Sequence, residues 1–278
     1  MAGLIFGTAG IPLTTPPPHG TIDGIRRVAG LGLGCMELEF VQGIYLGEEE
    51  ALETAKTAAD AGVVLSAHAP YFINFNAHET RKLKASQGYL YKSARIASLC
   101  NASGVVFHAG FYLGDPPPQA YQTISKYVAE VADRLKEEGI NILLRPEVSG
   151  KVSQFGSLEE ILKLCAQNDG LAPCIDFAHW HARSSANNSY EEFASALENV
   201  RQYLGEAALR DMHLHISGIE YGARGERRHL ELEKSDLKYK ELLKALSDYG
   251  VGGRVICESP SQEEDALRLK AAYNALAA

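Results

Sequence analysis

VVLSAHAPYFIN, residues 63–74, is an apolar run of strand type that stops abruptly at an ionisable ring. Val63–Ala67 reads as a buried strand, and His68 follows at once, then a proline, two aromatics and an asparagine. The same event recurs along the chain. Strand-like runs fall at Leu4–Phe6, Met36–Phe40, Val63–Ala67, Val105–Phe107, Asn141–Leu144, Ala172–Ile175, Met212–Ile216 and Arg254–Cys257. Helical patterns lie between them. In SLEEILKLCAQN (157–168), Leu158, Ile161, Leu162 and Cys165 form one apolar stripe, and Ser157 with Glu160 makes a capping box. TISKYVAEVADRLKEEG (123–139) and YKELLKALSDYG (239–250) are amphipathic, and each ends at a glycine suited to a helix C-cap. Eight strand–helix alternations predict a (β/α)8 TIM barrel, an α/β fold, as a single domain over residues 1–278. An open doubly wound sheet would show a Gly-rich phosphate loop after an early strand. No Gly-x-Gly-x-x-Gly occurs, and GLGLGC (30–35) precedes a strand instead.

The totals fit that expectation. The chain has 278 residues, a formal charge of −8 and five cysteines, with no Cys-x-x-Cys. A disulfide frame and a cysteine-based zinc or redox motif are therefore not expected, and a reducing compartment is. MAGLIFGTAG at the start lacks the basic lead and length of a signal peptide, and no apolar window approaches a membrane span. A cytoplasmic monomer without membrane contact is the expectation.

In a barrel of this type, chemistry sits at the C-terminal ends of the strands. The third run ends in His68 and the fourth, VVFHAG, in His108. The fifth, LLRPE, ends in Glu147, and the sixth, CIDFAH, in Asp176 with His179 just beyond. The seventh, MHLHIS, carries His213 and His215, and the eighth, VICESP, ends in Glu258. Six consecutive strands thus bring imidazoles and carboxylates to one mouth. Unpaired, such a cluster is costly to bury; divalent metal satisfies it, and zinc, manganese or iron accept these ligands. The supply is enough for two or three ions, with Glu147 placed to bridge two of them, and closely spaced ions suit phosphoryl chemistry.

HAPYFIN (68–74), FHAG (107–110), LAPCIDFAH (171–179), MHLH (212–215) and CES (257–259) resemble the endonuclease IV family of abasic-site DNA repair nucleases. The resemblance covers all but the ends of the chain. It implies a (β/α)8 barrel with three zinc ions. His68 and His108 would hold the first, Glu147 would bridge the first and second, Asp176, His213 and Glu258 would hold the second, and His179 and His229 would belong to the third. It further implies damaged DNA as the partner. A metal-bound hydroxide would attack the phosphate 5′ to an abasic sugar, with Glu147 as catalytic residue. Tyr71 and Phe72 would wedge into the duplex at the turn that Pro70 stiffens.

The chain also departs from that pattern. HLHIS (213–217) puts His215 where the family has an asparagine, and in GERRHLEL (225–232) Glu226 and His229 stand further apart than the family's acid and histidine. VQGIYLGEEE (41–50), after the second run, has no arginine for DNA. Glu37 and Glu39 share a strand face, as do Arg145 and Glu147, so an interior ion pair of Arg145 with Glu37 or Glu39 is expected. RKLK (81–84), Lys151, Arg183 and RGERR (224–228) would form a basic rim on the mouth face. The alternative reading is a metal-dependent sugar isomerase or epimerase, whose barrels need only a Glu–Asp–His–Glu set.

Overall fold

The computed structural model describes residues 3–276. Parallel strands and helices alternate along the chain: β1 (Leu4–Ala9), α1 (Thr21–Gly30), β2 (Cys35–Glu39), α2 (Glu48–Ala61), β3 (Val64–His68), α3 (Thr80–Leu99), β4 (Val105–Phe107), α4 (Pro117–Glu137), β5 (Leu144–Pro146), α5 (Leu158–Gln167) and β6 (Cys174–Asp176). There follow α6 (Phe177–Ser184), α7 (Tyr190–Leu204), β7 (Met212–Ile216), a hairpin of β8 (Gly218–Gly222) and β9 (Gly225–Leu230), α8 (Tyr239–Asp248), β10 (Gly253–Cys257) and α9 (Glu263–Asn274). Eight strands pair in parallel in the order β5-β4-β3-β2-β1-β10-β7-β6. This is the (β/α)8 architecture that the alternation predicts. No helix among the described residues is long and apolar enough to cross a membrane.

Local signals act as expected. Ser157 accepts a hydrogen bond from the Glu160 amide and completes its capping box at the start of α5. Gly139 and Gly250 have φ of 71° and 60°, the left-handed turn that ends α4 and α8. Two runs are displaced. The fifth strand is Leu144–Pro146 and the sixth Cys174–Asp176, each nearer the mouth than the apolar run suggests.

The cylinder closes between β5 and β6 by isolated bridges, Leu144 to Leu171 and Glu147 to Cys174. The amides of Leu144 and Val148 donate to the carbonyls of Gly170 and Cys174 at 3.0 and 3.1 Å. Pro146 lies between those two donors and has no N–H, so the middle rung is missing. This seam is the thinnest join in the barrel.

Alternate residues of each strand point inward. Outward ones, such as Leu65, Ala67, Met212, Leu214 and Ile216, pack under the helices. Inward ones are unusually polar for a barrel core, which is normally layered with branched aliphatics. Glu37, Ser66, His68, Arg145, Glu147, Asp176, His213 and His215 are all buried.

The expected pair of Arg145 with Glu37 or Glu39 is not formed. Arg145 lies two residues before Glu147 and extends to the closed end of the barrel. There its Nη2 meets Asp211 Oδ2 at 3.2 Å, and its Nη1 donates to the Pro173 carbonyl at 3.3 Å. Arg254 joins the same Asp211 and donates to Ser103 Oγ at 2.9 Å. A Cβ on Gly104 would stand 2.8 Å from Arg145 Nε, so a glycine leaves the room this side chain uses. Burial and the neighbouring Arg254 lower the Arg145 pKa to about 10.

Candidate metal centre

At the open end, Glu147 is the hub. Its Oε2 lies 3.1 Å from His68 Nε2 and 3.3 Å from His108 Nε2. Its Oε1 lies 3.2 Å from His179 Nδ1 and 3.3 Å from His215 Nδ1. His179 follows Asp176 by three residues because the chain turns into α6 there, with Asp176 capping the helix through a 2.6 Å bond from the His179 amide. The hairpin that follows β7 brings His229 Nε2 to 3.1 Å from His179 Nε2. Glu226, on the same hairpin, puts Oε2 3.5 Å from His179 Nε2.

Donor atoms gather in overlapping groups, each with all members within 4.8 Å of one another: His68, His108 and Glu147; Glu147, Asp176, His215 and Glu258; Asp176, His179, His229 and Glu258. Asp176 Oδ2 and Glu258 Oε2 are buried and make no hydrogen bond. Buried carboxylate oxygens without partners, aimed among imidazoles, are what divalent metal would satisfy. The donor set fits metal.

Of the residues expected at the metal, His68, His108, Glu147, Asp176, His179, His229 and Glu258 stand in these groups, and His213 does not. His213 lies deeper, with Nε2 3.0 Å from Glu37 Oε2, and His215 occupies the mouth level. The direction of the strand explains this. Along β7 the mouth is at the C-terminal end, and two residues of strand advance about 6.6 Å. The later histidine of His-Leu-His is therefore the one at the mouth, a signal present in the sequence.

The loop after β3 shows why two aromatics follow His68. Asn74 Oδ1 accepts from the Phe111 and Asn76 amides at 3.2 and 3.0 Å. Asn76 Nδ2 donates to the Phe111 and Tyr112 carbonyls and to Asp115. With the loop pinned to its neighbour, and Ile73 and Phe75 fully buried, Tyr71 and Phe72 are turned out and each is 52% exposed. The Tyr71 ring stands 5.1 Å from His68, over the cluster, and Phe72 packs edge-on against Tyr89 at 4.7 Å.

The basic rim is partly consumed. Arg183 donates to the Ser149 and Lys151 carbonyls, and Lys82 pairs with Glu79. Arg227 and Arg228 pair with Glu220, while Arg224 stands exposed at the hairpin tip. His181 bonds Ala186 and Asp236, His78 bonds Asp115, and Trp180 packs on Phe177, which assigns these three to structure.

Protonation follows from this crowding. Burial alone would raise the Glu147 pKa, yet the imidazoles of His108, His215 and His179 hold it well below the carboxylate range. Burial would lower His68, but the Glu147 contact raises it to about 9. Burial, with Glu37 and Glu258 nearby, pushes Glu39 up to about 8. His179 is also raised against the pull of burial by the carboxylates around it, and His215 by Cys174 and then by Glu258, Glu37 and Glu147. At His68, Glu39, His179 and His215, all raised, the folded chain holds protons that the unfolded chain has released, so stability falls as pH rises through their folded values. Metal-depleted protein is therefore expected to unfold at lower urea at pH 9 than at pH 6.5, with zinc abolishing the difference. A flat or opposite trend in the denaturation midpoints would reject this electrostatic picture.

The chain matches the family model described as xylose isomerase-like TIM barrel over residues 25–277. It is 44% identical to the uncharacterized protein MJ0133 of Methanocaldococcus jannaschii, over 98% of each chain. It is 27% identical to the probable endonuclease 4 of Symbiobacterium thermophilum, over 87% of this chain and 90% of that one. Among solved structures, endonuclease IV from Thermus thermophilus superposes with a TM-score of 0.73 at 19% identity, covering 96% of this chain and 98% of that one. A D-tagatose 3-epimerase-like protein superposes equally well, with a TM-score of 0.73 at 17% identity over 98% and 100%.

Proposed function

Because the chain belongs to the xylose isomerase-like TIM barrel family, we propose that it is a metal-dependent abasic-site endonuclease, cutting DNA 5′ to the lesion. One observation supports this choice above the others: Glu147 touches four imidazoles, and the donors extend beyond any single set. A sugar epimerase needs only the group of Glu147, Asp176, His215 and Glu258. The pairs His68–His108 and His179–His229 would then have no work to do.

Divalent ions held by the three groups would supply Lewis acidity to activate water and to neutralise charge on a phosphate. The chain's own residues do the rest. Glu147 fixes four ring orientations at once. Glu226 and His229 bring the third group within reach on a hairpin. Tyr71 roofs the cluster, excludes water from one side and offers a ring to an unstacked nucleotide. Arg224 and Lys151 leave cationic charge at the rim for the backbone.

The test combines elemental analysis of protein purified without chelator with incision of a duplex holding one abasic-site analogue. Two or three ions per chain with 5′ incision is the expected result. One ion, no incision and epimerisation of a ketose would replace this reading with the epimerase. Arg224→Ala is expected to weaken binding of the duplex and to reduce the log–log salt slope by about 0.9, the release of one counterion. An unchanged slope would remove Arg224 from the DNA surface.

A further inference from the structure

A second polar cluster lies one layer below the mouth, walled from solvent. Glu37 of β2, Cys174 of β6 and His213 and His215 of β7 are buried there. Cys174 pairs with His213 in the sheet register and points inward with it. One donor atom each from Cys174, His213 and His215 lie within 4.8 Å of one another. Glu37 Oε2 is 3.0 Å from His213 Nε2, and Glu37 Oε1 is 3.0 Å from His215 Nε2.

Those short contacts are not hydrogen bonds. His213 Nδ1 and Nε2, His215 Nε2 and Glu37 Oε1 are all buried without a hydrogen-bond partner. Buried polar atoms are rarely left so, and four in one place call for a ligand. Close approach without alignment along the N–H direction is what donors crowded around a cation look like. Zinc–nitrogen bonds of about 2.0–2.1 Å set neighbouring ligand atoms roughly 3–3.5 Å apart. The same signature marks His108 and His179 against Glu147 at the mouth, at 3.3 and 3.2 Å.

We propose that Cys174, His213 and His215 form a second, enclosed metal centre for a divalent cation of the zinc class, with the Glu37 carboxylate beside it. Two imidazoles and one thiolate are ligands that such a cation accepts, with one position left for a fourth donor. The Cys174 thiolate and the neighbouring Glu37 carboxylate offset the charge of the ion, and Cys174 gives its proton to solvent on binding. Ser66 Oγ donates to Glu37 Oε2 at 2.7 Å and fixes the carboxylate from outside the set. His215 Nδ1 also faces Glu147 and Glu258 at 3.3 Å, so this one ring links the two levels.

Sulfur separates the two levels, because no donor group at the mouth holds a cysteine. Full-length protein loaded with cobalt(II) is expected to show a thiolate-to-cobalt charge-transfer band in the near ultraviolet. His108→Ala should keep the band. Cys174→Ser should lose it together with one cobalt per chain. His213→Gln should lose it too, and it decides the matter if Cys174→Ser fails to fold. A cobalt-loaded parent without the band, or a band that survives the folded Cys174→Ser or His213→Gln chain, overturns the proposal. None of these readouts depends on whether the mouth cleaves DNA.

Discussion

Glu147→Gln is expected to lower single-turnover incision of an abasic-site duplex by more than about a hundredfold, beyond the roughly 10–100-fold that losing even an outer-shell partner of a metal ligand costs. The exchange keeps volume and shape and removes one charge. That charge lies within 3.3 Å of four imidazole nitrogens, on His68, His108, His179 and His215. A neutral amide can accept through its oxygen only, and its NH2 faces ring nitrogens that must stay free for metal. Two donor groups share Glu147, so the variant should also hold less metal per chain. Metal content and incision should therefore fall together. Incision within about threefold of the parent, at unchanged metal content, would remove Glu147 from the centre of the reaction.

Asp211→Ala is expected to cost about 3 kcal/mol of stability while leaving the mouth intact. Arg145 and Arg254 both turn to Asp211 at the closed end, and both guanidiniums are nearly fully buried. Their Nε atoms have no hydrogen-bond partner, so Asp211 is the main compensation for two cations. Its own side chain is 58% exposed and water can replace part of what it gives, which places the cost no higher than the low end for a broken pair with a buried partner. Urea denaturation measures it. Arg254→Met in the same chain should restore part of the loss, because one uncompensated charge goes with it. A single variant within about 0.5 kcal/mol of the parent would show that the two arginines need no common anion.

The barrel was legible because its signals repeat. Apolar runs, amphipathic stretches and C-cap glycines recur in a fixed order, and each run from the third onward ends in a metal-ligand residue type. The mouth was legible for the same reason, since strand direction alone brings six ends together. What escaped is what depends on depth along a strand. His213 and His215 share a face, and only their rank along β7 tells which reaches the mouth. Arg145 and Glu147 share a face too, yet the first goes down to Asp211 and the second up to the histidines. Cys174 reads as a small core residue until its register with His213 is known. The hairpin β8–β9 was also missed as an element. Its glycines Gly222 and Gly225 flank its turn, but the segment lies between two barrel elements where only a loop was expected.

Pro146 gives the seam between β5 and β6 a further meaning. The cylinder is a rolled sheet fastened along one line with a rung left out, and Glu147 and Asp176 face each other across that line. A cation that grips both carboxylates acts as a rivet for the roll. The reactive centre and the fastener would then be one object, so a chain without such a cation would slacken first where it would otherwise do its chemistry.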